Sequence, residues 1–375
     1  TLFPYTTLFR SPFLTFLFVT FVGIKDELYM KIIIDNKIPF IKEAVQRIAD
    51  EVVYVPGKDF TPELVRDADA LIVRTRTHCN RDLLEGSRVK FIATATIGFD
   101  HIDTEYCKQA GIEWTNAPGC NSASVAQYIQ SSLLVWKSCR NKKLNELTIG
   151  IIGVGNVGSK VAKVARDFGM RVLLNDLPRE EKEGTEQFAS LSKIAEECDI
   201  ITFHVPLYKE GKYKTFHLAD ENFFQSLKRK PVIINTSRGE VIDTNALLKA
   251  LDNRIILDAI IDVWEHEPEI NRELLDKVFI GTPHIAGYSA DGKANATRMS
   301  LDAICKFFQI EADYKINAPA PASPIIHAKN HEEAILQIYN PVEDSTRLKN
   351  QPEQFETLRG DYPLRREETA YLIKY

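Results

Sequence analysis

The sequence predicts an α/β protein: two doubly wound, parallel-sheet (Rossmann-like) domains with a small C-terminal αβ appendage. Three observations predict it. From Met30, short β-branched runs alternate with amphipathic stretches, the pattern of βα units. A glycine fingerprint, Gly153-Val-Gly155-Asn156-Val157-Gly158, follows an apolar run and opens a helical pattern. The alternation runs twice, separated by one long helical stretch, and stops before a Pro/Ala-rich segment, Ala318–Pro324.

The chain has 375 residues, 44% hydrophobic and 26% charged, enough for two or three globular domains. A formal net charge of -5 gives no reason to expect a nucleic-acid partner. The six cysteines are scattered, with no CxxC pair and no metal-ligand spacing. They read as reduced thiols, with no metal and a cytoplasmic location.

Residues 1–29 need separate treatment. Pro12–Ile24 is apolar and could pass for a signal-peptide core, but only Arg10 precedes it and no clear cleavage site follows. It is too short for a comfortable membrane span, so no membrane partner is expected. Residues 1–11, TLFPYTTLFRS, look like the translation of a sequencing-adapter oligonucleotide. The segment 1–29 therefore reads as a non-native extension, with the native chain starting at Met30.

In the first domain, strands are expected at Lys31–Asp35, Val52–Val55, Ala70–Arg74, Phe91–Thr94 and Ile112–Thr115. Helices are expected at Pro39–Ala49, Thr61–Arg66 and Thr104–Ala110. The long helix Ser122–Cys139 carries Val125, Ile129, Leu133 and Trp136 on one face. The second series has strands at Thr148–Ile152, Arg171–Asn175, Ile200–Phe203, Val232–Asn235, Ile255–Ile261 and Val278–Ile280. Its helices include Gly158–Phe168 and Thr244–Leu251, and Ala290–Ile310 is one more. The expected division is 30–119 with 286–310 for the substrate, 120–285 for the cofactor, and 311–375 as the appendage. A cleft between the two open sheets is the expected site.

In the fingerprint, Gly153 makes the tight turn, Gly155 lets backbone approach a pyrophosphate, and Gly158 lets the helix pack on the strand. The helix N-terminus offers free N–H groups to the anion. The next strand ends in Asp176, placed to accept the ribose hydroxyls and to repel a 2′-phosphate, so NAD is the expected cofactor. Arg179 nearby is the one residue that could meet such a phosphate.

Arg238 follows Val232–Asn235, at the carboxyl end of a strand. A guanidinium there offers a planar fork to a carboxylate. His284 follows another strand and a proline, and imidazole can take a hydroxyl proton near neutral pH. A partner from Trp264–Pro268 would hydrogen-bond that ring, fix its tautomer and raise its pKa. Glu267 fits this role, and Glu265 and His266 compete with it. Asp262 is expected to reach the nicotinamide carboxamide. Val73–Thr77 and Thr94–Gly98 place hydroxyls and arginine at two neighbouring strand ends, which suits a phosphorylated polyhydroxy acid. Arg74 or Arg76 is a candidate for its phosphate, and a solvated charge is the alternative.

GVGNVG, NTSRGE, DVWEHEPE and PHIAGYSADGK together resemble the D-isomer-specific 2-hydroxyacid dehydrogenase family, and the resemblance runs from Met30 to Tyr375. It implies a catalytic set of Arg238, Glu267 and His284, and favours Glu267 over its two neighbours. It implies substrate contacts at Thr75, Thr96, Arg238 and Tyr288, with Gly287 beside the cofactor. The expected NAD contacts are then Gly153, Gly155, Asn156, Val157, Gly158, Asp176, Val205, Thr236, Asp262 and Gly287. The tail from Ile338 to Glu367 resembles the dimerisation segment of a branch that oxidises a phosphorylated four-carbon hydroxy acid, so a homodimer is expected. A phosphoglycerate dehydrogenase or another D-2-hydroxyacid dehydrogenase is the alternative enzyme. An NAD-sensing, corepressor-like binding protein is the non-enzyme alternative. A formate dehydrogenase fits less well, because that branch has an amide where this chain has Glu267.

Overall fold

The structure, a computed structural model, describes residues 29–375. Except for Tyr29, the segment read as a non-native extension lies outside the described residues. The first sheet contains β1 (Lys31–Asp35), β2 (Glu51–Val55), β3 (Ala70–Val73), β4 (Phe91–Thr94) and β5 (Glu113–Thr115). All its pairs are parallel, in the order β2-β1-β3-β4-β5. The second contains β6 (Thr148–Ile152), β7 (Arg171–Asn175), β8 (Ile200–Phe203), β9 (Val232–Asn235), β10 (Asp258–Ile261) and β11 (Ile280–Gly281). It is also parallel, ordered β11-β10-β9-β8-β6-β7. Each order reverses once, beside β1 and beside β6, and such reversals open a crevice at the strands' carboxyl ends.

Helices cover both faces of these sheets, so their strands are apolar throughout rather than alternating. Ile32, Ile33 and Ile34 are all fully buried, and so are Val232, Ile233 and Ile234. The helix Ser122–Arg140 packs its Ile129, Leu133 and Trp136 with Ile149, Ile151 and Ile234 of the second sheet. Trp136 Nε1 and the Arg140 guanidinium both donate to the Asp258 carboxylate, fixing that helix at the start of β10. The helix Ala290–Phe308 returns to the first sheet, with Leu301 and Ile304 against Ile32, Ile34 and Phe91. The chain therefore passes between the sheets twice, around 116–121 and 282–290.

Several expected elements come out differently. The helix expected at Pro39–Ala49 is a single turn, Lys42–Val45. Phe40 sits at φ +61 and Ile41 supplies no side-chain cap, so nothing starts the helix earlier. The strand expected from Ile255 begins at Asp258, after a turn with Arg254 at φ +54. The fingerprint helix begins at Asn156, earlier than Gly158.

The tail is a small αβ unit, as expected. It holds helices His331–Ile338, Pro341–Asn350 and Phe355–Gly360, and a parallel pair, β12 (Ile325–His327) with β13 (Leu372–Lys374). Ile335, Tyr339 and Tyr362 join one core of the second sheet, and Leu348 and Phe355 the other. Buried Arg365 ties the tail to the second crossing: Nη2 donates to Ala286 O at 2.6 Å and its carbonyl accepts from Ala290 N at 2.8 Å. Its guanidinium lies 4.2 Å from the Tyr339 ring centroid, a cation–π contact. No helix among the described residues is long and apolar enough to cross a membrane.

Candidate active site

The fingerprint glycines do different work. Gly153 turns at φ +87, and a β-carbon there would lie 2.5 Å from His204 O. One on Gly158 would lie 2.0 Å from Gly153 O, so strand and helix touch there. One on Gly155 would meet no protein atom within 4 Å. The space before the N-terminus of helix Asn156–Asp167 is thus left open by the protein itself, as a pyrophosphate requires.

Asp176 lies beside this cradle. Its Oδ2 accepts from Val154 N at 2.8 Å and its Oδ1 from Arg179 N at 3.1 Å. The Arg179 guanidinium faces Glu183, with bonds of 2.8 and 2.7 Å, and also donates to Val154 O. The one arginine that could have met a 2′-phosphate therefore has its fork on a carboxylate. Val205 packs over the Gly153 turn, and Thr236 Oγ1 is 3.4 Å from His204 Nδ1. Burial drives the His204 pKa down to about 3, so this ring is neutral. Asn156 lies against Gly119 at the first crossing, and Gly287 against Asn121 at the second.

Arg238 leaves β9 on a loop shaped by Asn235. Asn235 Nδ2 donates to Arg238 O at 2.9 Å, and its Oδ1 accepts from Ser237 N and Oγ. Asn235 opens the NTSRGE motif, but no role of its own was expected for it. Gly239 allows Trp264 to approach, since a β-carbon would lie 2.0 Å from that residue's carbonyl. Arg238 reaches across to the other sheet: its Nη2 would be 3.3 Å from a β-carbon on Gly98. Half-buried, it has no carboxylate within ion-pair distance among the described residues. In that opposite loop, Thr96 Oγ1 bonds Thr94 Oγ1 at 2.7 Å and Gly98 O at 2.8 Å. Thr75 and Arg76 are exposed after β3, and Arg76 meets Glu356 at 3.3 Å.

His284 Nδ1 lies 2.8 Å from Glu267 Oε2, and Glu267 Oε1 accepts from Trp264 N at 2.9 Å. The imidazole Nε2 has no hydrogen-bond partner among the described residues. Burial alone would raise the Glu267 pKa, but the His284 bond and charge outweigh it and hold the carboxyl below its usual range. Glu265 is engaged elsewhere, with His217 Nε2 at 2.8 Å and Thr244 N at 2.9 Å, and His266 is exposed. Of the three candidates, only Glu267 meets His284.

Asp262 is buried beneath this loop. Its Oδ1 accepts from Thr282 Oγ1 at 2.6 Å and Ile285 N at 2.8 Å, and its Oδ2 from Ala286 N at 2.9 Å. Its main engagement is thus with the His284 loop.

Arg359, in the tail, is a site residue that sequence reasoning missed. Its Nη1 is 3.6 Å from Glu267 Oε2 and its Nε donates to Tyr288 Oη at 3.2 Å. Only its lying in a segment quoted for the family resemblance could have drawn attention to it.

Residues 123–286 match the family described as "D-isomer specific 2-hydroxyacid dehydrogenase, NAD binding domain". The chain is 82% identical over 344 residues to an erythronate-4-phosphate dehydrogenase of Bacteroides thetaiotaomicron, covering 92% of this chain and 99% of that protein. It is 42% identical over 352 residues to one from Porphyromonas gingivalis, covering 92% and 95%. Among solved structures, the NAD+-bound 3-phosphoglycerate dehydrogenase of Entamoeba histolytica is similar at TM-score 0.62 and 29% identity, covering 76% of this chain and 98% of that one. Its geometry and these relatives agree: the chain belongs to the D-isomer specific 2-hydroxyacid dehydrogenase family, in its erythronate-4-phosphate dehydrogenase branch.

Proposed function

We propose that this protein oxidises 4-phospho-D-erythronate at C2 to (R)-3-hydroxy-2-oxo-4-phosphobutanoate with NAD, in vitamin B6 synthesis. The observation that carries the chemistry is the 2.8 Å pair of His284 Nδ1 with Glu267 Oε2, which leaves Nε2 for the substrate hydroxyl. Arg238, without a carboxylate of its own, holds the C1 carboxylate and orients C2. His284 Nε2 removes the C2 hydroxyl proton, and Glu267 stabilises the imidazolium that forms. When bound, NAD would supply the acceptor for the hydride that leaves C2. Thr75, Thr96 and Tyr288 are the proposed hydroxyl and phosphate-end contacts. The open space at Gly155, together with Asp176, holds the dinucleotide, joined by Gly153, Asn156, Val157, Gly158, Val205, Thr236, Asp262 and Gly287.

In this reading, residues 30–119 with 286–310 carry the substrate and 120–285 carry NAD. Residues 311–375 join two copies in a cytoplasmic homodimer. The names of the relatives and their coverage of the tail support the substrate. NADH formation with 4-phosphoerythronate against 3-phosphoglycerate tests it: a higher kcat/KM for 3-phosphoglycerate would move the reading to the alternative enzyme. NAD binding without turnover of either acid would favour the corepressor-like alternative. The mass of the protein in solution tests the dimer.

A further inference from the structure

Two cations from distant parts of the chain meet at Tyr288. Lys293, in the first turns of helix Ala290–Phe308, holds its ammonium 5.3 Å from the Tyr288 ring centroid. Arg359 donates to the Tyr288 hydroxyl at 3.2 Å. Arg74, just past the end of β3, adds a like charge: burial first, and then the Arg74 charge, lower the Lys293 pKa.

The cluster lacks matching acids. Neither Arg74 nor Lys293 has a carboxylate within ion-pair distance among the described residues. Arg359 has Glu267 at 3.6 Å, but the same oxygen already meets His284. Arg76 differs, since it is 75% exposed and faces Glu356. Half-buried cations of like sign cost free energy unless an anion joins them in use. The site also has the right neighbour, because Tyr288 and His284 share one loop and Arg359 links Tyr288 to Glu267.

We propose that Lys293 and Arg359, joined through Tyr288, form the subsite for the substrate's phosphate monoester, with Arg74 adding its charge. The proposal rests on the reading of a phosphorylated hydroxy acid as substrate. It favours Arg74 over Arg76 and adds two ligands from elsewhere in the chain. The aromatic face of Tyr288 keeps Lys293 in place between turnovers.

The test compares 4-phosphoerythronate with unphosphorylated erythronate, in the full-length wild type and in Lys293→Gln and Lys293→Arg. The ratio of kcat/KM between the two acids should fall at least tenfold in K293Q and be largely restored in K293R. A ratio unchanged in K293Q, with both acids slowed alike, overturns the subsite. Titration of inorganic phosphate into the NAD-loaded protein gives a second reading. Binding should weaken at least tenfold in K293Q, and equal or undetectable binding in both proteins overturns the subsite whatever the substrate. Phosphate binding that depends on Lys293, in a protein that does not oxidise 4-phosphoerythronate, would support the subsite and overturn only the functional reading.

Discussion

Arg359 Nη1 stands 3.6 Å from Glu267 Oε2, the oxygen that His284 Nδ1 meets at 2.8 Å. A guanidinium from the tail and the imidazole thus share one carboxylate.

Glu267→Gln deletes the charge that stabilises the imidazolium formed in the reaction, so kcat should drop by about 10²-fold. Arg359→Gln leaves the His284–Glu267 pair in place, so kcat should fall far less. Equal losses of kcat in the two variants would exclude this division of roles.

The depressed Glu267 pKa also bears on stability. Its folded value lies below its unfolded one, so its contribution is present above the ordinary glutamate range and is lost as pH falls through the folded value. The gap in melting temperature between wild type and Glu267→Gln should therefore narrow on acidification. A gap that stays constant down to the unfolding of both proteins would contradict this.

Asp262 accepts three hydrogen bonds from the loop that carries His284. In Asp262→Asn, one oxygen becomes a donor facing another donor, at a cost of about 1–3 kcal/mol. Both denaturation midpoint and kcat should fall, and an unaltered kcat would remove Asp262 from any role in placing His284.

Two glycines of the fingerprint should separate folding from cofactor binding. Gly158→Ala forces a carbon to within 2.0 Å of Gly153 O and should destabilise the protein by about 1–3 kcal/mol. Gly155→Ala meets no protein atom, so the melting temperature should hold while NAD affinity falls at least tenfold. Calorimetry with and without NAD measures both.

Cofactor choice should depend on Glu183 as well as Asp176. Asp176→Ser removes the charge that repels a 2′-phosphate, yet Arg179 stays on Glu183. Adding Glu183→Gln frees that arginine, so the double variant should gain more NADP activity than the single one. Equal NADP activity in the two would show that Arg179 takes no part.

Much of the fold was legible because parallel strands buried on both faces read as unbroken apolar runs. The runs IIID and VIIN mark β1 and β9 unaided. The helix at 39–49 was misjudged because its amphipathic period continues through Phe40, and only the backbone reveals the left-handed turn there. The tail was legible as a small αβ appendage, but its separate elements were not. Its helices are short and charged, and Tyr339, Leu348 and Phe355 acquire their meaning only against the second sheet. Within the site, Arg238, Glu267 and His284 stand in recognisable motifs. Glu265 and Glu267 are alike in spacing, and contact with His284 separates them. Arg359 meets its partners only through folding, with no local pattern to announce it.

The Arg365 anchor at Ala286 and Ala290 gives the tail a second consequence. The strip of chain it grips is the second crossing between the two sheets, with Tyr288 and His284 beside it. The tail thus acts as a brace, and trimming it would slacken the segment that carries the imidazole as well.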